Sequence, residues 1–91
     1  MLKTLYKIID DRKNNPVEGS YTNSLLNEGY ERTGQKVGEE AVELIIAAGG
    51  QGRQRTIEES SDLIYHLFVL LVQQGIALHE IEAELNKRHK Q

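Results

Sequence analysis

Two acidic pairs share one spacing in this chain: Glu40 with Glu43, and Glu59 with Asp62. Residues three apart on a helix lie on one face, so each pair can aim its carboxylates at one spot. Glu39 stands beside the first pair and Glu58 beside the second. If the two faces meet, four or five carboxylates converge, and like charges brought that close call for cations. Hard divalent ions such as Mg²⁺ take oxygen ligands and are commonly held by a few carboxylates together with substrate phosphates. Such ions can clamp the attacking and leaving oxygens of a phosphoryl displacement. A spare glutamate in the cluster can orient or deprotonate a water. There is no Cys, which excludes a thiolate zinc site, a cysteine nucleophile and a disulfide framework. No Ser/His/Asp triad, P-loop or dinucleotide fingerprint is present.

Three further features could serve the same chemistry, and each has a plainer use. Lys36, one turn before Glu40, can meet a phosphate or form an i,i+4 ion pair with Glu40. Lys preceding Glu is the weaker orientation for that pair. His66 can support the carboxylates from behind, although a lone helical histidine is more often structural. Gly19-Ser20-Tyr21-Thr22 reads as a capped helix start, with Ser20 or Thr22 as N-cap. A helix N-terminus also offers free N–H groups to an anion. Spacing alone leaves both uses open.

Helices must position all of these residues. The low aromatic content and the abundance of Leu, Ile, Ala, Glu and Lys favour helix throughout. Leu2, Leu5, Tyr6 and Ile9 fall at i, i+3, i+4 and i+7, one face of a first helix. Asn14-Asn15-Pro16 ends it, because the residue before proline avoids the helical region. A short helix over Tyr21 to about Asn27 follows the loop. A long one begins between Glu28 and Arg32 and runs to Gly49-Gly50. On it Lys36, Glu39, Glu40 and Glu43 fill an arc of roughly 100°, while Val37, Ala41, Val42, Leu44, Ile45, Ile46 and Ala48 cover most of the rest. A helix this apolar is buried on more than one side, inside a bundle or between subunits. Its charged arc then faces inward or into a cleft. Gly38 lies among the apolar positions, where close helix approach would explain it.

The next helix runs to about Gln74, with a core stripe of Ile57, Ser61, Ile64, Leu67, Phe68 and Leu71. Glu59, Asp62 and His66 lie on the other side, within about 60° of one another. Thr56 to Glu59 has capping-box spacing, which would fold Glu59 back on its own helix start. A start near Gly52 leaves Glu59 free and is preferred here. Gly75 stops this helix as a C′ glycine does. A last helix, about Ala77 to Lys90, has a narrow stripe of Leu78, Ile81 and Leu85. Lys87, Arg88 and Lys90 suit the negative end of its dipole. The two long helices make an αα-hairpin.

Length and charge bound the rest. Ninety-one residues imply one small domain, residues 1–91, that buries roughly 60–65% of its unfolded surface, so pairing with a copy of itself would help. A formal charge of −3 argues against a nucleic-acid backbone binder. The longest fully apolar run, Leu67 to Val72, is far short of a membrane span. The N-terminus lacks a signal-peptide core. The expectation is a cytoplasmic domain without membrane or nucleic-acid partners.

The pattern E-x-x-E on one helix and E-x-x-D on the next resembles the all-α nucleotide pyrophosphohydrolases of the MazG-like superfamily. Leu5-Tyr6, Glu18 to Thr22, Lys36 to Glu43 and Glu59 to Leu70 extend the resemblance over nearly the whole chain to the phosphoribosyl-ATP pyrophosphohydrolase family of histidine biosynthesis. That resemblance implies an all-α bundle of four to five helices, dimerising through the long central helices and able to assemble further to a tetramer. It implies hydrolysis of N1-(5-phospho-β-D-ribosyl)-ATP to the AMP compound and pyrophosphate, with Mg²⁺ as cofactor and Mn²⁺ as substitute. It makes Glu40, Glu43, Glu59 and Asp62 the metal ligands. It casts Glu39 as helper for metal or water beside Glu40, and sets Lys36 and the Ser20-Tyr21-Thr22 turn on phosphates. Ser60-Ser61 and the Gly-, Gln- and Arg-rich stretch from Gly49 to Arg55 depart from the family pattern without removing a ligand. A house-cleaning nucleoside triphosphate pyrophosphatase and a non-enzymatic helical module are the alternatives.

Overall fold

Five α-helices carry the chain: α1 (Leu2–Asn14), α2 (Tyr21–Glu28), α3 (Tyr30–Gly50), α4 (Arg53–Gln73) and α5 (Leu78–Arg88). They are described by a computed structural model over residues 1–89, among which there is no strand. Lys90, where the last helix was expected to end, lies outside the described residues. No single helix among those described is long and apolar enough to cross a membrane.

The boundaries follow local chemistry. Ser20 is the N-cap of α2, its hydroxyl accepting the Asn23 N–H. Buried Asn23 ties down the preceding loop, accepting from the Val17 N–H at 2.8 Å and donating to the Arg12 carbonyl at 2.9 Å. The α3–α4 turn closes on Gly52 at φ +89°, a backbone conformation that costs glycine least. Helix α4 therefore starts at Arg53, as the earlier of the two starts requires, and Thr56 turns its hydroxyl back to the Gly52 carbonyl. Glu59 is not spent on a capping box.

The core forms where α1, α2 and α4 meet. Tyr6, Ile9, Leu25, Phe68, Val69 and Val72 are buried together, with the Tyr6 and Phe68 rings edge to face at 5.1 Å. The Tyr6 hydroxyl donates to the Ile76 carbonyl and so fastens α1 to the turn after α4.

Three expectations about packing need correction. Of the α4 stripe, Phe68 is buried, but Ile57, Ser61 and Leu67 are exposed, and Val69 and Val72 enter the core instead. The helix is turned so that Glu59 and His66 face inward. A Cβ added at Gly38 would meet nothing within 4 Å, so close helix approach within the chain is not its reason. Helix α5 buries no residue: Ile81 and Leu85 stay exposed.

Candidate metal centre

The hairpin of α3 and α4 turns acidic faces toward each other. Glu40 on α3 is 6% exposed and Glu59 on α4 is 4% exposed, among the most thoroughly buried polar residues of the chain. Glu43, one turn after Glu40, reaches the same place from an exposed position. Glu40, Glu43 and Glu59 each bring a carboxylate oxygen within 4.8 Å of the others. Asp62 stands outside that group of three and is exposed, yet its charge acts on Glu40.

Crowding of this kind has an electrostatic cost in the absence of a cation. The Glu40 carboxyl is pushed up to about 7, by burial first and then by the charges of Asp62 and Glu43 and a hydrogen bond with Glu59, against a weaker opposing pull from Lys36. Glu59 moves the other way. The Arg55 guanidinium, one turn earlier, bonds Glu59 Oε1 and holds its carboxyl below the usual range. The same guanidinium bonds exposed Glu58 and lowers it too. Glu59 is thus ionised and Glu40 is the carboxyl that retains a proton near neutrality.

The arrangement fits a hard divalent cation. Apart from its contact with the neighbouring Glu40 and Glu43 carboxyls, Glu59 Oε2 is buried and meets no N–H or hydroxyl donor, a state that is costly for a carboxylate oxygen unless something positive meets it. The donors offered are all oxygens, the set that suits Mg²⁺ or Mn²⁺ and disfavours softer metals.

Around the carboxylates the other predicted residues take up definite positions. Lys36 Nζ lies 3.8 Å from Glu39 and 4.0 Å from Glu40. It is paired along its own helix and only partly exposed. Glu39 is exposed and also accepts from the Gln35 amide at 3.2 Å, so it borders the group of three and does not enter it. His66 is buried, with Nδ1 2.9 Å from the Asp62 carbonyl oxygen and 3.6 Å from Glu40 Oε1. Its Nε2 meets the Tyr21 hydroxyl at 3.1 Å. Thr22 is hydrogen-bonded to Tyr65, whose ring stacks on Tyr21 at 6.2 Å. Two helical residues after the cap therefore grip α4, and the start of α2 is held against the carboxylate site through His66.

An open cleft of about 740 Å³ is lined by Pro16–Tyr21, Asn23, Ser24 and Asn27, and none of Glu40, Glu43, Glu59 and Asp62 lines it. The chemistry is attributed to the hairpin, because the buried, mutually perturbed carboxylates are there. Arg55 and Tyr65 were not singled out from the sequence. For Arg55 the signal was available in its spacing of three to Glu58 and four to Glu59; for Tyr65 the i+3 position after Asp62 carries no such signal.

The family described as phosphoribosyl-ATP pyrophosphohydrolase matches residues 2–89. The chain belongs to that family. It is 49% identical over 90 residues to a phosphoribosyl-ATP pyrophosphatase of Clostridium acetobutylicum, covering 99% of this chain and 82% of that protein. A phosphoribosyl-ATP pyrophosphatase of Sulfurisphaera tokodaii is 50% identical over 90 residues, covering 99% of this chain and 96% of its own length. A histidine biosynthesis bifunctional protein of Caldanaerobacter subterraneus is also 50% identical over 90 residues, but there the chain covers 44% of the relative. Membership of this hydrolase family and an all-helical fold accord with the reading of the two acidic pairs.

Proposed function

We propose that the protein hydrolyses N1-(5-phospho-β-D-ribosyl)-ATP to the corresponding AMP compound and pyrophosphate, the second step of histidine biosynthesis. The observation that carries this reading is the family match over nearly the whole chain, together with the relatives from Clostridium acetobutylicum and Sulfurisphaera tokodaii, both named phosphoribosyl-ATP pyrophosphatase. The convergence of Glu40, Glu43 and Glu59 supports its chemistry. Glu40, Glu43, Glu59 and Asp62 would hold Mg²⁺, or Mn²⁺ in its place. When bound, the ion supplies charge neutralisation for the phosphates and the leaving pyrophosphate.

The chain's own residues do the positioning. Arg55 engages Glu59 through Oε1 and leaves the buried Oε2 available to a cation. Glu39, at the border of the group, accepts a proton from the water that attacks between the α and β phosphates, with Glu40 next to it as the second candidate for the same duty. Lys36 turns from its helix partners to a phosphate oxygen, and the Ser20-Tyr21-Thr22 turn receives the substrate at the start of α2. The exposed apolar residues Val42, Ile45, Ile46 and Ile57 suit burial against a second copy of the chain, giving a homodimer and on further assembly a tetramer. A cytoplasmic location fits such a biosynthetic enzyme.

Pyrophosphate release in Mg²⁺ from phosphoribosyl-ATP and from a panel of nucleoside triphosphates tests the substrate. Turnover of phosphoribosyl-ATP far above the panel is expected. Turnover of the panel alone would assign the chain to nucleotide house-cleaning instead.

A further inference from the structure

We infer that Arg55 sets which ion the hairpin site accepts: by occupying Oε1 of Glu59 it confines that carboxylate to one-oxygen ligation, which favours Mg²⁺ or Mn²⁺ over Ca²⁺. The inference rests on the metal reading above and deepens it. The Arg55 guanidinium spans two carboxylates, bonding Glu59 through Nη2 and Glu58 through Nη1. Glu58 in turn accepts from the Gln54 amide at 3.3 Å, so the guanidinium is braced by a second, exposed carboxylate. The other oxygen of Glu59, Oε2, is buried and meets no N–H or hydroxyl donor. A guanidinium keeps its charge at every working pH, so the occupancy of Oε1 is a matter of geometry and not of titration.

The helix itself gains little from an arginine at that place. Helix α4 starts at Arg53 and has no acidic residue in its first turn, where a cation opposes the helix dipole. Arg four residues ahead of Glu is also the weaker orientation for such a pair. What the contact achieves is to set the two oxygens of Glu59 apart, one engaged by Arg55 and one open to a cation. Calcium takes more oxygens than magnesium, at longer distances, and readily uses both oxygens of one carboxylate. Magnesium demands a tight octahedron and keeps several waters, so one oxygen per carboxylate suffices. An ion chelated by both oxygens of Glu59 is drawn toward the one that faces the guanidinium, cation against cation. An ion on Oε2 alone avoids it. The penalty falls on the ion that needs the second oxygen.

Calorimetric titration of the whole metal-free protein with Mg²⁺ and, separately, with Ca²⁺ reads the two affinities without substrate or turnover. The Arg55 side chain is 46% exposed and lies outside the core, so Arg55→Gln should keep the fold. This variant should tighten Ca²⁺ binding on the order of tenfold more than Mg²⁺ binding. Arg55→Lys, which keeps a cation beside Oε1, should hold the ratio of the parent. Equal gains for the two ions in Arg55→Gln would reduce Arg55 to a general repulsive charge and overturn the inference. A second measurement needs no variant: crystals of the parent protein grown with Mn²⁺ or with Ca²⁺. Glu59 should meet Mn²⁺ through one oxygen while Arg55 keeps the other. Chelation of either ion by both oxygens, with the Arg55 bond intact, would overturn the inference as well. If neither ion binds parent or variant, the metal reading itself fails; ions bound with an unchanged ratio in Arg55→Gln leave that reading standing and remove Arg55 from it.

Discussion

The two faces of α3 are distributed against the usual rule. Glu40, at 6% exposure, is turned into the molecule, while Ile45, two turns of thought away on any hydropathy scale and five residues on in the chain, is 72% exposed. The α1–α2–α4 contact keeps the ordinary order, with Ile9, Leu25, Val69 and Val72 inside. An isolated helix optimised for its own stability would not be written as α3 is, since burying charge is costly and exposed apolar surface gains nothing. Each departure makes sense if the missing contact is supplied from outside. In the proposed reading a cation would answer the inward carboxylates, and a second copy would answer the outward isoleucines.

The largest effect should come from the inward face. Glu40→Gln removes a proposed ligand and should lower turnover on the order of 1,000-fold, the equivalent of several kcal/mol of transition-state stabilisation. Its far-ultraviolet circular dichroism should be unchanged and its metal-free melting temperature no lower than that of the parent. Full activity in this variant, and in Asp62→Asn, would rule out the site. On the outward face, Ile45→Asp should raise the dimer dissociation constant roughly 100-fold, since about 1.5 kcal/mol of burial is lost on each of two protomers. Sedimentation velocity checks this; an unchanged profile would remove the second copy from the account.

The pH dependence of metal-free stability gives a smaller effect. The Glu40 carboxyl is raised to about 7 in the folded chain from an ordinary 4.5, so between those values the native state binds more protons than the unfolded one. Stability is then fully present below about pH 4.5 and is lost as pH rises toward about 7, by on the order of 1–2 kcal/mol after allowance for screening. Denaturant titrations across this range should show the slope in the parent and a flatter one in Glu40→Gln. Saturating Mg²⁺ should cancel it near neutrality. The smallest effect belongs to the conventionally packed region. Tyr6→Phe removes the bond to the Ile76 carbonyl and should cost about 1 kcal/mol, with turnover kept within about twofold. A large loss of activity there would show that the two regions are not separable.

Periodicity made the helices legible. The segments bounded by Pro16, by Gly49-Gly50 and by Gly75 are helices close to their expected limits, because those residues act locally. The three-residue spacing put Glu40 and Glu43 on one face, and the α3–α4 hairpin adds Glu59 to them, so three carboxylates meet where four or five were expected and Asp62 stays outside the group. Which side of a helix turns inward was less legible. On α4 the apolar stripe through Ile57 and Leu67 looked like core, yet those residues are exposed. A wheel cannot distinguish surface buried within the chain from surface left for another molecule. Leu78, Ile81 and Leu85 show the same limit: they predict a helix, and α5 forms, but only Leu78 packs against the core, while Ile81 and Leu85 stay exposed. The link from Tyr21 through His66 to Glu40 spans 45 residues to its first partner, a tertiary juxtaposition that no local spacing announces.

The inward carboxylates are tested most directly by crystals grown with Mn²⁺ and recorded at the manganese absorption edge. An anomalous peak bound by Glu40, Glu43 and Glu59, with Asp62 drawn toward it, is the result expected. A cluster with no peak at saturating Mn²⁺, its carboxylates held together by protons alone, would contradict the account.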